Sequence, residues 1–379
     1  MKKVTDVFEV DDLFAEVREA DIPILAPNFE SFTELLAEFV AAQAIADRYG
    51  IKRVPLMPSV TLAYPDRGNV AGRGGAYHDF ATPLDERYTQ EELNAFLRFG
   101  FHVANHDIDT FANTRWFPNV YIIPSIDHGR PEADKILLED EKVLGNIGVV
   151  MYDVTELLRK NPELKEDRDE AIRQMAELAA AYREKYGDRV RIESACDILP
   201  EAPSEGSLPN VEETLSRPDE MARFLELSGV DFFAPSIGTE HRARNPEGPE
   251  KLYREELARE LHERVAGIDQ YRNVDGSIFS LHGSSCLDPS NPDNDTLFTI
   301  LHGVAIFRYY TGLSSNIGKA LKRWVDNAEK RIKAEPKDAL HVNASSGRDW
   351  FLVEQLQPEL QQVLVNIGYP ELVATDEEE

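Results

Sequence analysis

Eight short runs, more continuously apolar than alternating, punctuate the chain: IPILAPN (22–28), VPLMPSV (54–60), VYIIPSI (120–126), IGVVMYDV (147–154), RVRIESA (189–195), VDFFAPSI (230–237), SIFSLHG (277–283) and VAIFRYY (304–310). A half-exposed strand alternates apolar with polar positions. A run that is apolar throughout belongs to a strand buried on both faces, as in a parallel sheet covered by helices. Between the runs, apolar residues recur at helical spacing. SFTELLAEFVAAQAIADRYG (31–50) opens on a serine cap and stops at Gly50. YTQEELNAFLRFGFHVANH, DRDEAIRQMAELAAAYREKYG, RPDEMARFLELSG, LYREELARELHERVAG and NIGKALKRWVDNAEKRI follow the same rule. Eight strands alternating with helices predict an α/β fold, a (β/α)8 TIM barrel rather than an open doubly wound sheet. An open nucleotide-binding sheet would carry GxGxxG after its first strand, where this chain reads PILAPNFES.

Several segments exceed a minimal barrel. FEVDDLFAEVREA, before the first strand, predicts a lid helix over the barrel's N-terminal end. Residues 61–90 form a long glycine-rich insertion after strand two, and residues 197–215 a Pro/Ser/Glu loop after strand five. Residues 337–379 add a C-terminal extension with an amphipathic helix, WFLVEQLQPELQQVLVNIG. With no internal repeat and no interdomain linker, residues 1–379 read as one domain whose barrel spans 20–335.

Composition narrows the partners. Asp and Glu number 69 against 41 Lys and Arg, a net charge of −28 spread along the chain. That surface disfavours nucleic acid and anionic membrane, whose nonspecific affinity rests on Lys and Arg. It is also the kind of surface expected in high salt. No apolar run reaches the roughly 18 residues of a membrane span. The opening MKKVTDVFEVDDLF turns acidic too early for a secretory signal. Two cysteines, Cys196 and Cys286, make no disulfide framework, so a reducing cytoplasm fits best. Both read as small buried side chains.

Candidate chemistry lies where apolar runs end. His128 follows VYIIPSID, His241 follows VDFFAPSIGTE and His282 follows SIFSL. In a barrel these ends share the C-terminal face, so three imidazoles can converge on one metal ion and leave a coordination position open. Asp127, directly before His128, supplies an acid/base candidate. A rival pair, His102 and His106, lies one helical turn apart beside Asp107, but lacks the glutamate of HExxH and reads as surface. His78 lies in the insertion. GNVAGRGG lacks the lysine and hydroxyl of a phosphate loop and reads as flexible loop. HGSSC (282–286) is a stronger anion candidate, because strand-seven and strand-eight loops commonly bind phosphate, and Arg308 can add positive charge there.

These motifs, DHG at 127–129, IGTEH at 237–241 and LHGSS at 281–285, resemble those of the class II, zinc-dependent fructose-bisphosphate aldolases and their tagatose-bisphosphate relatives. The family carries LDHG, a GTSHG-like segment and LHGGSG at corresponding strand ends of a (β/α)8 barrel. The resemblance runs from PILAPNFES to residue 325 or so. It implies that His128, His241 and His282 hold one Zn2+ per subunit, or another divalent metal. It implies Asp127 as the acid/base that handles a substrate hydroxyl, and Gly283, Ser284 and Ser285 as a phosphate-binding turn. Glu193 falls on the first acidic position of the family's VEGELG-like strand, whose second acid is Ala195 here. Arg242 replaces the glycine after the second histidine, and Asn245 stands roughly where the family has a lysine. The N-(V/I)-D-T-D segment of strand eight reads Arg308-Tyr309-Tyr310-Thr311-Gly312, keeping only the threonine. The family's mobile glutamate has Glu201 or Glu205 as substitutes in this chain.

The function so implied is zinc-dependent cleavage and formation of a carbon–carbon bond in a ketose phosphate. Fructose 1,6-bisphosphate, giving dihydroxyacetone phosphate and glyceraldehyde 3-phosphate, is the first expectation. A cytoplasmic glycolytic homo-oligomer, dimer or tetramer, completes it. The same chemistry would serve a metal-dependent sugar epimerase or isomerase, which the altered phosphate positions favour somewhat. A noncatalytic aldolase-like subunit is the third class. The histidine trio with Asp127 argues against it.

Overall fold

The computed structural model describes residues 1–63, 69–77, 84–197, 214–239, 254–284, 303–311, 315–334 and 345–372. Its strands are β1 (Lys2–Lys3), β2 (Ile24–Asn28), β3 (Val54–Leu56), β4 (Ser59–Thr61), β5 (Val120–Ile122), β6 (Ser125–Gly129), β7 (Val149–Tyr152), β8 (Arg191–Ser194), β9 (Phe232–Phe233), β10 (Phe279–Leu281) and β11 (Val304–Tyr310). All pair in parallel, and β11 pairs with β2, Arg308 opposite Ala26, to close the sheet on itself. This is the predicted (β/α)8 barrel, with staves β2, β3/β4, β5/β6, β7, β8, β9, β10 and β11.

Two staves differ from their sequence reading. The second breaks at Met57-Pro58 and the third at Ile123-Pro124. Proline has no N–H for the ladder, so regular pairing stops there. The chain keeps its course nonetheless, because Ile123 N donates to Leu56 O at 2.8 Å and Ser125 N to Pro58 O at 2.9 Å. The third stave also runs further than predicted, to Gly129, which places Asp127 and His128 inside the strand instead of after it. The added β1 pairs with β5 below the barrel, Lys2 opposite Tyr121.

Helices clothe the staves. Helix α1 (Val7–Glu19) is capped by Asp6, and Val10, Leu13, Phe14 and Val17 are buried. It closes the N-terminal end as predicted: the Phe14 and Phe232 rings lie 4.5 Å apart and Arg18 Nε donates to Ser277 O at 3.1 Å. Helix α2 (Phe32–Tyr49) starts in a full capping box, Ser31 with Glu34, and ends at Gly50 with φ 73°. In the insertion, GNVAGRGG is not the flexible loop its composition suggests. Asn69–Arg73 form a short helix, α3, with Val70 and Ala71 buried. It lies against α4 (Gln90–Ala112) so closely that a Cβ on Gly100 would come within 1.7 Å of Val70 O, and one on Gly74 within 1.8 Å of Phe96 O. Glycine is required by that approach.

The remaining long helices are α5 (Arg168–Tyr186), α6 (Pro218–Ser228), α7 (Glu255–Ala266), α8 (Ser315–Ala334) and α9 (Ser345–Asn366). The last is the predicted C-terminal helix, begun earlier than expected and lying along α2. Past its end, the fully buried Tyr369 enters the barrel wall. Its hydroxyl accepts from Leu25 N at 3.0 Å and donates to Pro55 O at 2.5 Å. One continuous apolar core joins α1, the barrel and this extension.

Candidate metal and acid/base centre

The C-terminal ends of the staves gather polar side chains that the flanking sequence buries. Asn28, Asp127, His128, Asp153, Glu193, His282 and Arg308 are all buried. His128 adopts φ 54°, left-handed for a non-glycine residue, at an irregularity in the β6–β7 register between Ile126 and Gly129. A bulge of this kind re-aims a side chain beside a functional site.

Each imidazole is backed by a carboxylate. His128 Nδ1 lies 3.3 Å from Asp153 Oδ2. Asp153 is itself fixed by Thr155, whose N–H and hydroxyl donate to Oδ1 at 3.2 and 2.5 Å, and by Arg159 at 3.4 Å. His282 Nε2 lies 2.8 Å from Glu193 Oε1, and Arg308 donates to Glu193 Oε2. The two rings stand edge to face with centroids 5.1 Å apart. Asp127 Oδ2 accepts from Asn28 Nδ2 at 2.5 Å. Among the described residues its Oδ1 accepts no hydrogen bond, and it lies 3.9 Å from His128 Nε2. One ligand-capable atom from each of Asp127, His128 and His282 falls within 4.8 Å of the others.

The electrostatics follow from burial in this mixed company. Burial alone would raise the Asp127 carboxyl, but His128, Arg308 and His282 and the Asn28 hydrogen bond outweigh it and hold the group well below the usual carboxylate range. Burial likewise opposes, and His128 with Arg159 and Thr155 overrides, at Asp153. Burial would lower His128, yet Asp127 and Asp153 raise it. At Glu193, too, Arg308 and His282 outweigh burial, so all three carboxylates of the cluster are anions at neutral pH.

The donor set fits a divalent transition metal. Two buried imidazoles and a carboxylate sit within reach of one point, and each ring has an acidic partner to fix its tautomer. Two of the three sequence-predicted histidines thus come together, with Asp127 beside them. His241 lies outside the described residues, as do Arg242, Ser285, Glu201, Glu205, His78 and Cys286.

Other expected residues have partners of their own. Arg308, expected to face a phosphate, crosses the barrel to Glu193 and gives a second hydrogen bond, 2.7 Å, to Ser59 Oγ. Thr311 Oγ1 donates to Glu38 at 3.2 Å. Gly283 takes φ 76°, and Ser284 Oγ donates to Arg308 O at 2.5 Å. Cys196 is buried beside Asp197. His102 and His106 are exposed on α4, and Asp107 pairs with Arg73. Sequence reasoning passed over Asn28 and Asp153, although both end apolar runs by the same criterion that picked out the histidines.

The model of the class-II fructose-bisphosphate aldolase family matches residues 88–349, more than half the chain. No curated protein matches the sequence. Among solved structures, fructose-bisphosphate aldolase from Campylobacter jejuni superposes with a TM-score of 0.64 at 15% identity, covering 97% of this chain and 95% of that one. The YdjI aldolase of Escherichia coli K12 superposes at 0.54 with 14% identity, covering 95% and 96%. At such identities the likeness is one of fold. No described helix is long and apolar enough to cross a membrane.

Proposed function

Because the chain belongs to the class-II fructose-bisphosphate aldolase family, we propose that it is a zinc-dependent aldolase that breaks and forms a carbon–carbon bond in a ketose phosphate, fructose 1,6-bisphosphate first among them. The observation that carries this reading is the buried triad of Asp127, His128 and His282, each member held by its own polar partner.

In this reading His128 and His282 hold the metal, with His241 as the third ligand. A divalent metal there would polarise a ketone oxygen and stabilise the negative charge that builds as the adjacent bond breaks. Asp127 does the proton work. Ionised at neutral pH and pinned through Oδ2 by Asn28, it offers Oδ1 to the hydroxyl whose collapse to an aldehyde drives cleavage. In the reverse direction the same oxygen returns the proton. Asp153 and Glu193 orient the two rings. Gly283 and Ser284, through the backbone of their turn, serve the phosphate end with Ser285 and Arg242. Arg308 and Thr311, whose side chains already serve Glu193 and Glu38, are not assigned to it.

The test is cleavage of a panel of ketose mono- and bisphosphates, with and without a chelator. Chelator-sensitive release of a triose phosphate is expected. Chelator-sensitive epimerisation or isomerisation without cleavage would replace this reading, and no turnover on any member would reject it.

A further inference from the structure

We propose that Arg308 is a positioning residue of the metal centre: spanning the barrel, it holds Glu193 against His282 and so sets which ring nitrogen His282 presents. The inference rests on the metal reading given above.

Arg308 lies on β11 and Glu193 on β8, with β10 and β9 between them, so the guanidinium reaches across the bore to make the pair. A second arm reaches Ser59 Oγ at 2.7 Å on β4, and Ser59 Oγ meets Ser125 Oγ at 2.5 Å on β6. Arg308, Glu193 and His282 are 3%, 0% and 1% exposed, so water does not compete for these contacts. Each Glu193 oxygen has one job: Oε2 takes Arg308 and Oε1 takes His282 Nε2 at 2.8 Å. With Nε2 engaged as donor to Glu193, a bound metal would take Nδ1.

The arrangement is not one built for stability alone. Arg308 Nε is buried without a hydrogen-bond partner among the described residues, and a buried ion pair adds little net stability over apolar residues of the same volume. What the pair does supply is orientation. Without the guanidinium, nothing else among the described residues donates to Glu193 Oε2, and the carboxylate is released to rotate away from His282.

The test compares wild type, Arg308→Lys and the double variant Arg308→Met/Glu193→Met, which removes both buried charges together. Zinc affinity is read by chelator competition, the melting temperature on metal-free protein, and the His282 tautomer by imidazole nitrogen NMR. The double variant should melt near wild type and bind zinc about 10- to 100-fold more weakly. Arg308→Lys keeps a cation but not the two-armed fork, and its His282 should lose the single Nε2-protonated tautomer. Unchanged zinc affinity in a folded double variant overturns the proposal. Should that variant not fold, an unchanged His282 tautomer in Arg308→Lys overturns it instead, and a mixed tautomer sustains it. Wild-type protein that binds no zinc defeats the metal reading itself, a result distinct from wild-type binding carried intact into the variants.

Discussion

Asn28 donates to Asp127 at 2.5 Å across the second stave, from β2 to β6, and so pins one oxygen of a carboxylate whose other oxygen accepts no hydrogen bond from the described residues. A hydrogen bond to a charged group contributes on the order of 1.5–3 kcal/mol. Asn28→Ala should therefore lower kcat by roughly 10- to 100-fold with little change in KM, because the carboxylate loses its aim and the substrate loses no proven contact. Steady-state kinetics check this. A large rise in KM at constant kcat would assign Asn28 to substrate binding.

Asp127→Asn separates proton transfer from metal binding. With the imidazoles intact, zinc stoichiometry should hold while turnover falls by a factor on the order of 10² to 10⁴. Zinc content and kcat measured on the same preparation decide it. Zinc lost along with activity would make Asp127 a ligand or a ligand's support.

His282→Ala should lower metal content and activity together, since it removes a ligand and leaves Glu193 and Arg308 facing a void. Full activity at full zinc occupancy would contradict the assigned role.

Glu34 sets a pH dependence of stability. Burial, reinforced by Glu30, raises its carboxyl to about 7 from 4.5, against the hydrogen bonds it accepts from Glu30 N and Ser31 N. The folded state thus holds a proton that the unfolded chain releases. Its stabilising share is complete below about pH 4.5 and disappears as pH climbs through 7. At about 1.4 kcal/mol per pH unit the change is on the order of 3 kcal/mol. Gln can still close the capping box. Glu34→Gln should therefore melt with a flatter pH dependence than wild type between pH 5 and 8, and parallel curves would refute the assignment.

Gly100→Ala should destabilise, although alanine is the better helix former by about 1 kcal/mol. The new methyl would strike the Val70 carbonyl and force α3 away from α4. Overpacking of this kind costs about 1–3 kcal/mol. The urea midpoint should fall, and a rise would show that the helices separate freely.

The barrel was legible because parallel, twice-buried strands leave continuous apolar runs, and because Ser31, Gly50 and Pro218 mark helix ends plainly. The breaks at Pro58 and Pro124 were hidden by the apolar residues on either side, and pairing across both gaps continues through neighbouring amides. At the site, strand-end position picked out His128, His282 and Asp127, and the fold brings ligand-capable atoms of these three within 4.8 Å of one another. It gave no hint of the Arg308–Glu193 pair, since a cation ending an apolar strand reads as an anion grip when its partner lies 115 residues away on an opposing stave. Inward-facing pairs across a bore leave no local signal. Asn28 and Asp153 did leave one, and they needed only the rule applied to the histidines to be extended to other polar residues.

Tyr369 joins the first two staves from 344 residues beyond Leu25 and 314 beyond Pro55. Those staves leave the ribosome long before the hydroxyl that links them. Until then the Leu25 amide and the Pro55 carbonyl lack the partner they have in the fold, and unpaired strand groups in nascent chains invite wrong partners. A nascent chain can thus hold all eight staves, already paired from β11 to β2, and still lack the one joint that Tyr369 makes between the first two.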